Sequence, residues 1–420
     1  MTRLKNIIFI NDYDYINGGS AQVAITTANA MKALDYNVIF FSAVNDPSKN
    51  DLAEGIIRHS TFQPDMLQDP NKAGAMLRGI WNRRAGRALS TLLAGFSPED
   101  TIIHLHGWIK ALSPSIGREL HRTPIAAVST QHDYFIACPN GGFYNYQKKA
   151  ICHLRPLGPA CTCTNCDSRG YSYKIWRLIR QHVQASAGKM PAGIDNFITV
   201  SKFSREILRP YLPEQANIFT LSSPVHAPQD QPYRTRTGAS RLLCVGRLSE
   251  EKGVALACEA ARMNNIRLSV IGEGPLKSLL EKQYPEVEFM GWLPPEQVFA
   301  EMRHSTALIY PSLLYETQGL SVLEALSVGL PVIVPDECAA SEFVDGRNGM
   351  LFRSNQVKDL ALKIGQLAGD PGLAEKMGRY AFEKYWQDPY SIRRYTTELL
   401  DIYNNILDHR VTGGAEEVKV

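Results

Sequence analysis

Short apolar runs alternate with helix-length amphipathic stretches along most of the chain. "NIIFIND" (6–12) reads as a buried strand, a loop holding the glycine pair Gly18–Gly19 and a helix follow, and "NVIFFSA" (37–43) is the next strand. "TIIHLHG" (101–107), "IAAVSTQH" (125–132) and "NFITVS" (196–201) are further strands of this kind. A Pro-, Ser- and Gly-rich stretch without hydrophobic period then intervenes, and the alternation restarts at "RLLCVGR" (241–247). "IRLSVIGEG" (266–274), "VEFMG" (287–291), "TALIYP" (306–311) and "LPVIVP" (330–335) are strands there, separated by helices of about ten residues. Such alternation forces parallel pairing through right-handed crossovers. The expected architecture is α/β: two facing Rossmann-like, doubly wound parallel-sheet domains with a cleft between them, where ligands of such sheets bind. The boundaries implied are a first domain over 1–222, a linker over 223–240 and a second domain over 241–390. A helix over 391–409, packing back on the first domain, and a flexible tail over 410–420 complete the expectation.

Bulk properties narrow the class. The chain has 420 residues, 44% hydrophobic and 21% charged, as in a globular protein. No run of eighteen apolar residues occurs, and Arg3 and Lys5 precede only the short run "NIIFI", which argues against a membrane span or a signal peptide and for a cytoplasmic protein. The net charge of +3 conceals an asymmetry: residues 1–225 hold 24 Lys/Arg against 16 Asp/Glu, and 226–420 hold 21 against 26. A basic first half suits an anionic partner such as a membrane surface, a lipid phosphate or a nucleic acid. In 78–96, Arg83, Arg84 and Arg87 lie beside apolar residues at helical spacing. That stripe either meets the headgroup region of an anionic bilayer, on the cytoplasmic face of the inner membrane, or packs on the first domain's sheet.

The stretch "YPSLLYETQGLSVLEALSVGLPVIVP" (310–335) carries the strongest chemical signal. It places Glu316 before a helix that opens at Gly319, and Glu324 about a turn and a half inside it. Buried carboxylates are expensive without partners, so both are candidates to face a polar ligand. A helix N-terminus at a glycine offers free N–H groups to an anion. Arg247 and Lys252, in "VGRLSEEKG", add two cations from another strand end, an arrangement fit for a pyrophosphate.

"VGRLSEEKG", "VIGEGP", "FMGWLP", "YPSLLYETQGLSVLEALSVGLPVIV" and "VDGRNGML" stand in the order and spacing of retaining glycosyltransferases of family 4, which the chain resembles over nearly all of its second half. The first half is similar more loosely, through Gly18–Gly19 and "QHD" at a strand end. The resemblance implies the GT-B fold and transfer of a hexosyl-type group from a nucleotide diphosphate sugar to an acceptor hydroxyl, with retention of configuration. Synthesis of a cell-surface glycan such as O-antigen, capsule or exopolysaccharide, on a glycan or lipid-linked glycan acceptor, goes with it, without a catalytic metal. It assigns the donor diphosphate to Arg247 and Lys252, the sugar hydroxyls to Glu316, the ribose to Glu324, and the phosphate to the backbone of Gly319 and Leu320. His132 would reach the sugar from the other domain, Gly18 and Gly19 would leave room for phosphate and acceptor, Gly272 and Gly274 would approach the nucleotide, and Met290 to Trp292 would border its base. Gln318 replaces the family's usual aromatic residue, and Ala339–Ala340 its usual glycine pair.

Five of the eight cysteines, Cys138, Cys152, Cys161, Cys163 and Cys166, cluster in an insert over 138–166. Cys138, Cys152, Cys163 and Cys166 could form a structural zinc site, and reduced cysteines in a loop are the alternative. Asp12 and Asp14 mimic a metal-binding Asp-x-Asp but read as loop. The same fold also accommodates a nucleotide-sugar epimerase or a glycan phosphorylase. A zinc-containing nucleic-acid-binding protein would need aromatic–basic interleaving, which only Tyr144, Tyr146, Lys148 and Lys149 offer.

Overall fold

The structure is a computed structural model and describes residues 4–228, 232–233 and 241–416. Its first half runs β1 (Asn6–Ile10), α1 (Gly19–Ala33), β2 (Asn37–Ser42), β3 (Ile57–Ser60), α2 (Lys72–Ile80), α3 (Arg83–Leu93), β4 (Thr101–Leu105), α4 (Ser115–Arg122), β5 (Ala126–Gln131), β6 (Tyr144–Asn145), β7 (Ala150–Ile151), α5 (Pro159–Cys163), α6 (Tyr171–Ser186), β8 (Asn196–Thr199), α7 (Lys202–Leu208) and β9 (Asn217–Thr220). The second half runs β10 (Arg241–Val245), α8 (Val254–Met263), β11 (Arg267–Ile271), α9 (Lys277–Gln283), β12 (Glu288–Gly291), α10 (Pro295–His304), β13 (Ala307–Ile309), α11 (Leu320–Ser327), β14 (Val332–Pro335), β15 (Gly349–Phe352), α12 (Val357–Ala368), α13 (Pro371–Gln387) and α14 (Ile392–Glu416).

Two parallel sheets result, ordered β3-β2-β1-β4-β5-β8-β9 and β12-β11-β10-β13-β14-β15. Their central strands are apolar without alternation because helices cover both faces. The expected strands are present. The sheet edges β3 and β9 were not read in advance: their residues are exposed or half-buried, so no apolar run marks them. Apolar clusters lie on both sides of each sheet.

Crossing back from the second domain, α14 sets Tyr395, Leu399 and Tyr403 among Ile7, Phe9 and Met31 of the first. Each fully buried side chain of this size contributes on the order of 1.5–3 kcal/mol. The helix continues to Glu416, into the stretch expected to be a tail, whose last residues, 417–420, lie outside the described residues. So do 229–231 and 234–240 of the expected linker.

Of the two readings of the basic segment 78–96, the structure shows the stripe packed on the first domain's sheet. Asn82 caps α3 by accepting from the Ala85 N–H, and Ala85, Leu89 and Leu93 are buried in the first domain's core, with Arg83, Arg84 and Arg87 left exposed. A stripe already packed on the sheet offers no apolar face to a bilayer.

Candidate active site

Two helices begin opposite each other across the cleft, each at a glycine. At the start of α11, Gly319 adopts φ +93°, a left-handed conformation, and a side chain there would strike the Ala340 methyl. On the other wall α1 opens at Gly19, where an added Cβ would lie 3.9 Å from Leu320 Cδ1, while the neighbouring Gly18 faces open space. The positive ends of two helix dipoles therefore converge, which favours an anion between them. The cavity they flank measures about 380 Å³ and is lined by Gly19, Ser20 and His132 from the first domain and by Gly246, Arg247, Lys252, Ser312, Glu316, Gly319, Leu320 and Glu324 from the second.

The second domain contributes the charges. Lys252 Nζ donates to Glu316 Oε1 at 2.6 Å, and Ser312 Oγ donates to the same oxygen at 2.7 Å. Arg247 Nη2 donates to Glu251 Oε1 at 2.5 Å and its Nε to Ser249 Oγ at 3.2 Å, holding the guanidinium at the cavity rim. Glu324 lies on the inner side of α11, and burial raises its carboxyl to about 7. Such a group is half-protonated near neutral pH until a ligand supplies donors to it.

The first domain contributes histidines. His132, at the end of β5, shares a hydrogen bond at 2.9 Å between its Nε2 and Nδ1 of His106, the rings lying nearly parallel with centroids 5.2 Å apart. Burial pushes His132 down to about 4, so it is neutral at physiological pH. Beneath it His104 is pinned by Tyr403 OH at 2.5 Å and Thr130 Oγ1 at 2.6 Å. His106 escaped the sequence reading, although the alternation in "HLHG" at a strand end placed His104 and His106 on one face. Burial raises the neighbouring Asp133 to about 6, and its Oδ1 accepts from the Phe135 N–H at 2.9 Å.

One loop ties the walls together. Thr317 Oγ1 donates to the His132 carbonyl at 3.1 Å and Tyr134 OH to the Glu316 carbonyl at 3.4 Å. Gln318 is buried with both ends of its amide spent on one residue: Oε1 accepts from the Ser223 N–H at 2.9 Å, and Nε2 donates to the Ser223 carbonyl at 3.1 Å. The residue that departs from the family pattern thus fastens the Glu316 loop to the segment joining the domains.

Several expected contacts fall elsewhere. Gly272 and Gly274 do not line the cavity. Their missing side chains let the turn press against the backbone of Gly246 and Leu248, which supports the Arg247 loop. Met290 and Trp292 also stand outside the cavity lining, and Trp292 is 70% exposed. Asp12 accepts from the backbone N–H groups of Lys110, Ala111 and Leu112, and Asp14 from Asn45, so both carboxylates are spent on loop structure. Among the described residues no three or more His, Cys, Asp or Glu side chains are gathered to hold a metal. Cys138, Cys152, Cys163 and Cys166 do not converge: Cys163 is exposed, and the Lys174 ammonium lies 3.4 Å from Cys161 Sγ and 3.1 Å from Cys166 Sγ.

Residues 227–384 match the family described as glycosyl transferases group 1. Over 402 residues the chain is 25% identical to a glycogen synthase of Mycobacterium tuberculosis, covering 88% of this chain and 87% of the other. A D-rhamnosyltransferase of Pseudomonas aeruginosa is 26% identical over 228 residues, 51% of this chain and 58% of its own length. Among solved structures, sucrose-phosphate synthase from Thermosynechococcus elongatus superposes with a TM-score of 0.71 at 18% identity, covering 96% of this chain and 100% of that one. An Anabaena protein solved with UDP-glucose gives 0.64 at 12% identity, covering 95% and 99%. With two Rossmann-like domains, a charged cleft, and likeness to glycosyltransferases over nearly its whole length, the chain is a glycosyltransferase of GT-B fold whose residues 227–384 carry the likeness to glycosyl transferases group 1.

Proposed function

We propose that the protein transfers a hexosyl group from a nucleoside diphosphate sugar to an acceptor hydroxyl with retention of anomeric configuration, in the building of a cell-surface glycan. The observation that carries this reading is the pair of opposed helix N-termini at Gly19 and Gly319–Leu320, flanking a cavity with Arg247 and Lys252 on its rim. The diphosphate lies against the start of α11 and the two cations, where charge developing on the leaving group is stabilised most. Glu324 accepts the ribose hydroxyls and gives up its proton as they bind. Glu316, oriented by Lys252 and Ser312, accepts sugar hydroxyls, while neutral His132 holds the sugar from the opposite wall. The bond from the anomeric carbon to the phosphate oxygen breaks as the acceptor oxygen bonds to the same face. The acceptor's proton passes to the departing phosphate oxygen, so no protein carboxylate need become covalently attached.

Cell-surface glycan synthesis draws support from relatives named for it, including a putative colanic acid biosynthesis glycosyltransferase of Salmonella typhimurium, 29% identical over 179 residues. The test is a donor screen with UDP-, GDP- and ADP-sugars, beginning with UDP because the Anabaena neighbours were solved with it. Acceptor-dependent release of nucleoside diphosphate is expected, with NMR showing the donor's anomeric configuration kept in the product. Inversion removes the retaining mechanism. Sugar conversion without an acceptor points to an epimerase, and dependence on inorganic phosphate to a phosphorylase.

A further inference from the structure

Helix α6 buries polar side chains beside Trp176 and Leu178 and leaves apolar ones outside. Its buried side carries Lys174, Arg180, Gln181 and Gln184, and its outer side a row of Tyr171, Ile175, Ile179 and Val183 at four-residue steps. Tyr171, Ile175 and Ile179 are 41%, 45% and 48% exposed. Burying polar side chains is costly unless they find partners, and each of these makes at least one contact, although Arg180 Nε and Gln181 Oε1 have no hydrogen-bond partner among the described residues. Lys174 meets the two thiols described above, and Arg180 Nη1 donates to the Ile109 carbonyl at 3.4 Å. Gln181 Nε2 donates to the carbonyls of Ile136 and Ala137 at 3.3 and 3.2 Å, and Gln184 Nε2 to that of Ile136 at 3.1 Å.

The apolar surface extends onto α2. Trp176 Nε1 donates to the Met76 carbonyl at 3.1 Å where the helices cross, and α2 leaves Met76 and Leu77 exposed, Leu77 at 69%. Among the described residues no helix is long and apolar enough to cross a membrane, so this is a surface for lying on something. The charges say on what. Exposed basic residues stand around it, Lys72 on α2 and Arg169 and Lys189 just outside the two ends of α6, while Lys174 and Arg180 are turned inward and Arg177 is paired with Asp167. At the rim the Arg169 guanidinium lies 4.1 Å from the Tyr173 ring centroid, and Lys72 Nζ donates to the carbonyl of Leu67, itself exposed. A second copy docked by two-fold symmetry would bring these basic residues against themselves. A nucleic acid would be met by stacking aromatics, whereas the centre here is aliphatic.

We infer that α6 and α2 dock on an anionic lipid bilayer, with Ile175, Ile179 and Leu77 entering the boundary between headgroups and acyl chains and the basic rim facing lipid phosphates. The inner side of the same helix holds the carbonyls of Ile136 and Ala137, a few residues past His132, so the docking helix also braces one wall of the active site. This inference does not rest on the assigned reaction, because its readout is binding alone.

The experiment is co-sedimentation of the full chain with vesicles of phosphatidylcholine, with and without about one-third phosphatidylglycerol, at low and high salt. The wild type should pellet with the anionic vesicles at least about tenfold more than with neutral ones, and salt should release it. Ile175→Asp/Ile179→Asp and the uncharged Ile175→Ser/Ile179→Ser should both stay in the supernatant, as should Leu77→Asp on the other helix. All three positions are exposed, so circular dichroism and melting should be unchanged. Wild-type protein remaining in the supernatant at low salt overturns the inference, as does undiminished pelleting of the substituted forms. It is equally overturned if the wild type forms dimers in sedimentation velocity that these substitutions dissolve, without binding vesicles.

Discussion

The two walls of the cleft follow opposite electrostatic plans. The second domain presents Arg247, Lys252, Glu316 and Glu324, while the first presents Gly19, Ser20, Val23, Val200 and a histidine that burial keeps neutral. On the proposed reading the second domain's cations and the start of α11 take most of the diphosphate's charge, and the start of α1 adds a helix dipole from the other side. The first domain adds neutral His132 to the same cavity, so substitutions there should disturb sugar orientation more than nucleotide binding. Substitutions on the two walls should therefore fail differently.

The largest effect is expected on the charged wall. Lys252→Ala and Arg247→Ala should each lower turnover by about 10²-fold or more, as lost stabilisation of leaving-group charge, with the fold intact. Steady-state release of nucleoside diphosphate measures it, and near-normal turnover in both variants would sink the donor assignment.

On the neutral wall, His132→Ala should also reduce kcat by about 10²-fold while free nucleotide binds normally. His106→Ala should cost about 10-fold, because His106 acts by fixing the orientation and tautomer of His132. Calorimetric titration with nucleoside diphosphate separates the walls: equal affinity loss in His132→Ala and Lys252→Ala would erase the distinction drawn here.

Glu324 sharpens it from the energetic side. Its carboxyl stands at about 7 in the folded protein against an ordinary 4.5. Between those values the folded protein keeps a proton that the unfolded chain has lost, so stability falls as pH rises through that window. Glu324→Gln removes the fall and should stabilise the ligand-free protein at pH 8 by on the order of 3 kcal/mol, with no gain at pH 4. The same variant should bind nucleotide more weakly by about 1–3 kcal/mol. Melts at the two pH values decide it, and identical differences at both would show that the burial of Glu324 carries no energetic weight.

The smallest effect concerns the fastening between walls. Gln318→Ala leaves the buried Ser223 N–H without its partner, a loss of about 1–2 kcal/mol. Small-angle scattering should show a larger radius of gyration, with KM for the donor rising more than kcat falls. An unchanged radius would mean that the other ties between the domains suffice.

How much of this was legible in the sequence follows from the physics of each part. Central strands and the motif glycines could be read, because burial on both faces and left-handed backbone leave strong local marks. Glu316, Lys252 and Glu324 could be placed at strand ends and inside a helix for the same reason. The pairing of His106 with His132 could not, since 26 residues and a crossover separate them and neither histidine is unusual alone. Gly272 and Gly274 are ambiguous in sequence, because close backbone packing, which the structure shows, and close approach to a ligand demand the same residue. The polar inner side of α6 was hidden because its partners are distant in sequence: thiols for Lys174, the Ile109 carbonyl for Arg180 and carbonyls of the 135–137 loop for Gln181 and Gln184.

The seating of α14 has a consequence for how the protein comes into being. Tyr403 closes a buried hydrogen bond to His104 from 299 residues further along the chain, and Leu399 fills the same core. A ribosome delivers the first domain's sheet early, but the piece that seals it emerges only after the second domain. Until then the nascent domain carries an open apolar slot, exposed to chaperones and proteases while the whole donor-binding half is synthesised. A premature stop near residue 390 would spare every residue of the catalytic cleft and still leave a protein whose opposite end cannot complete its core.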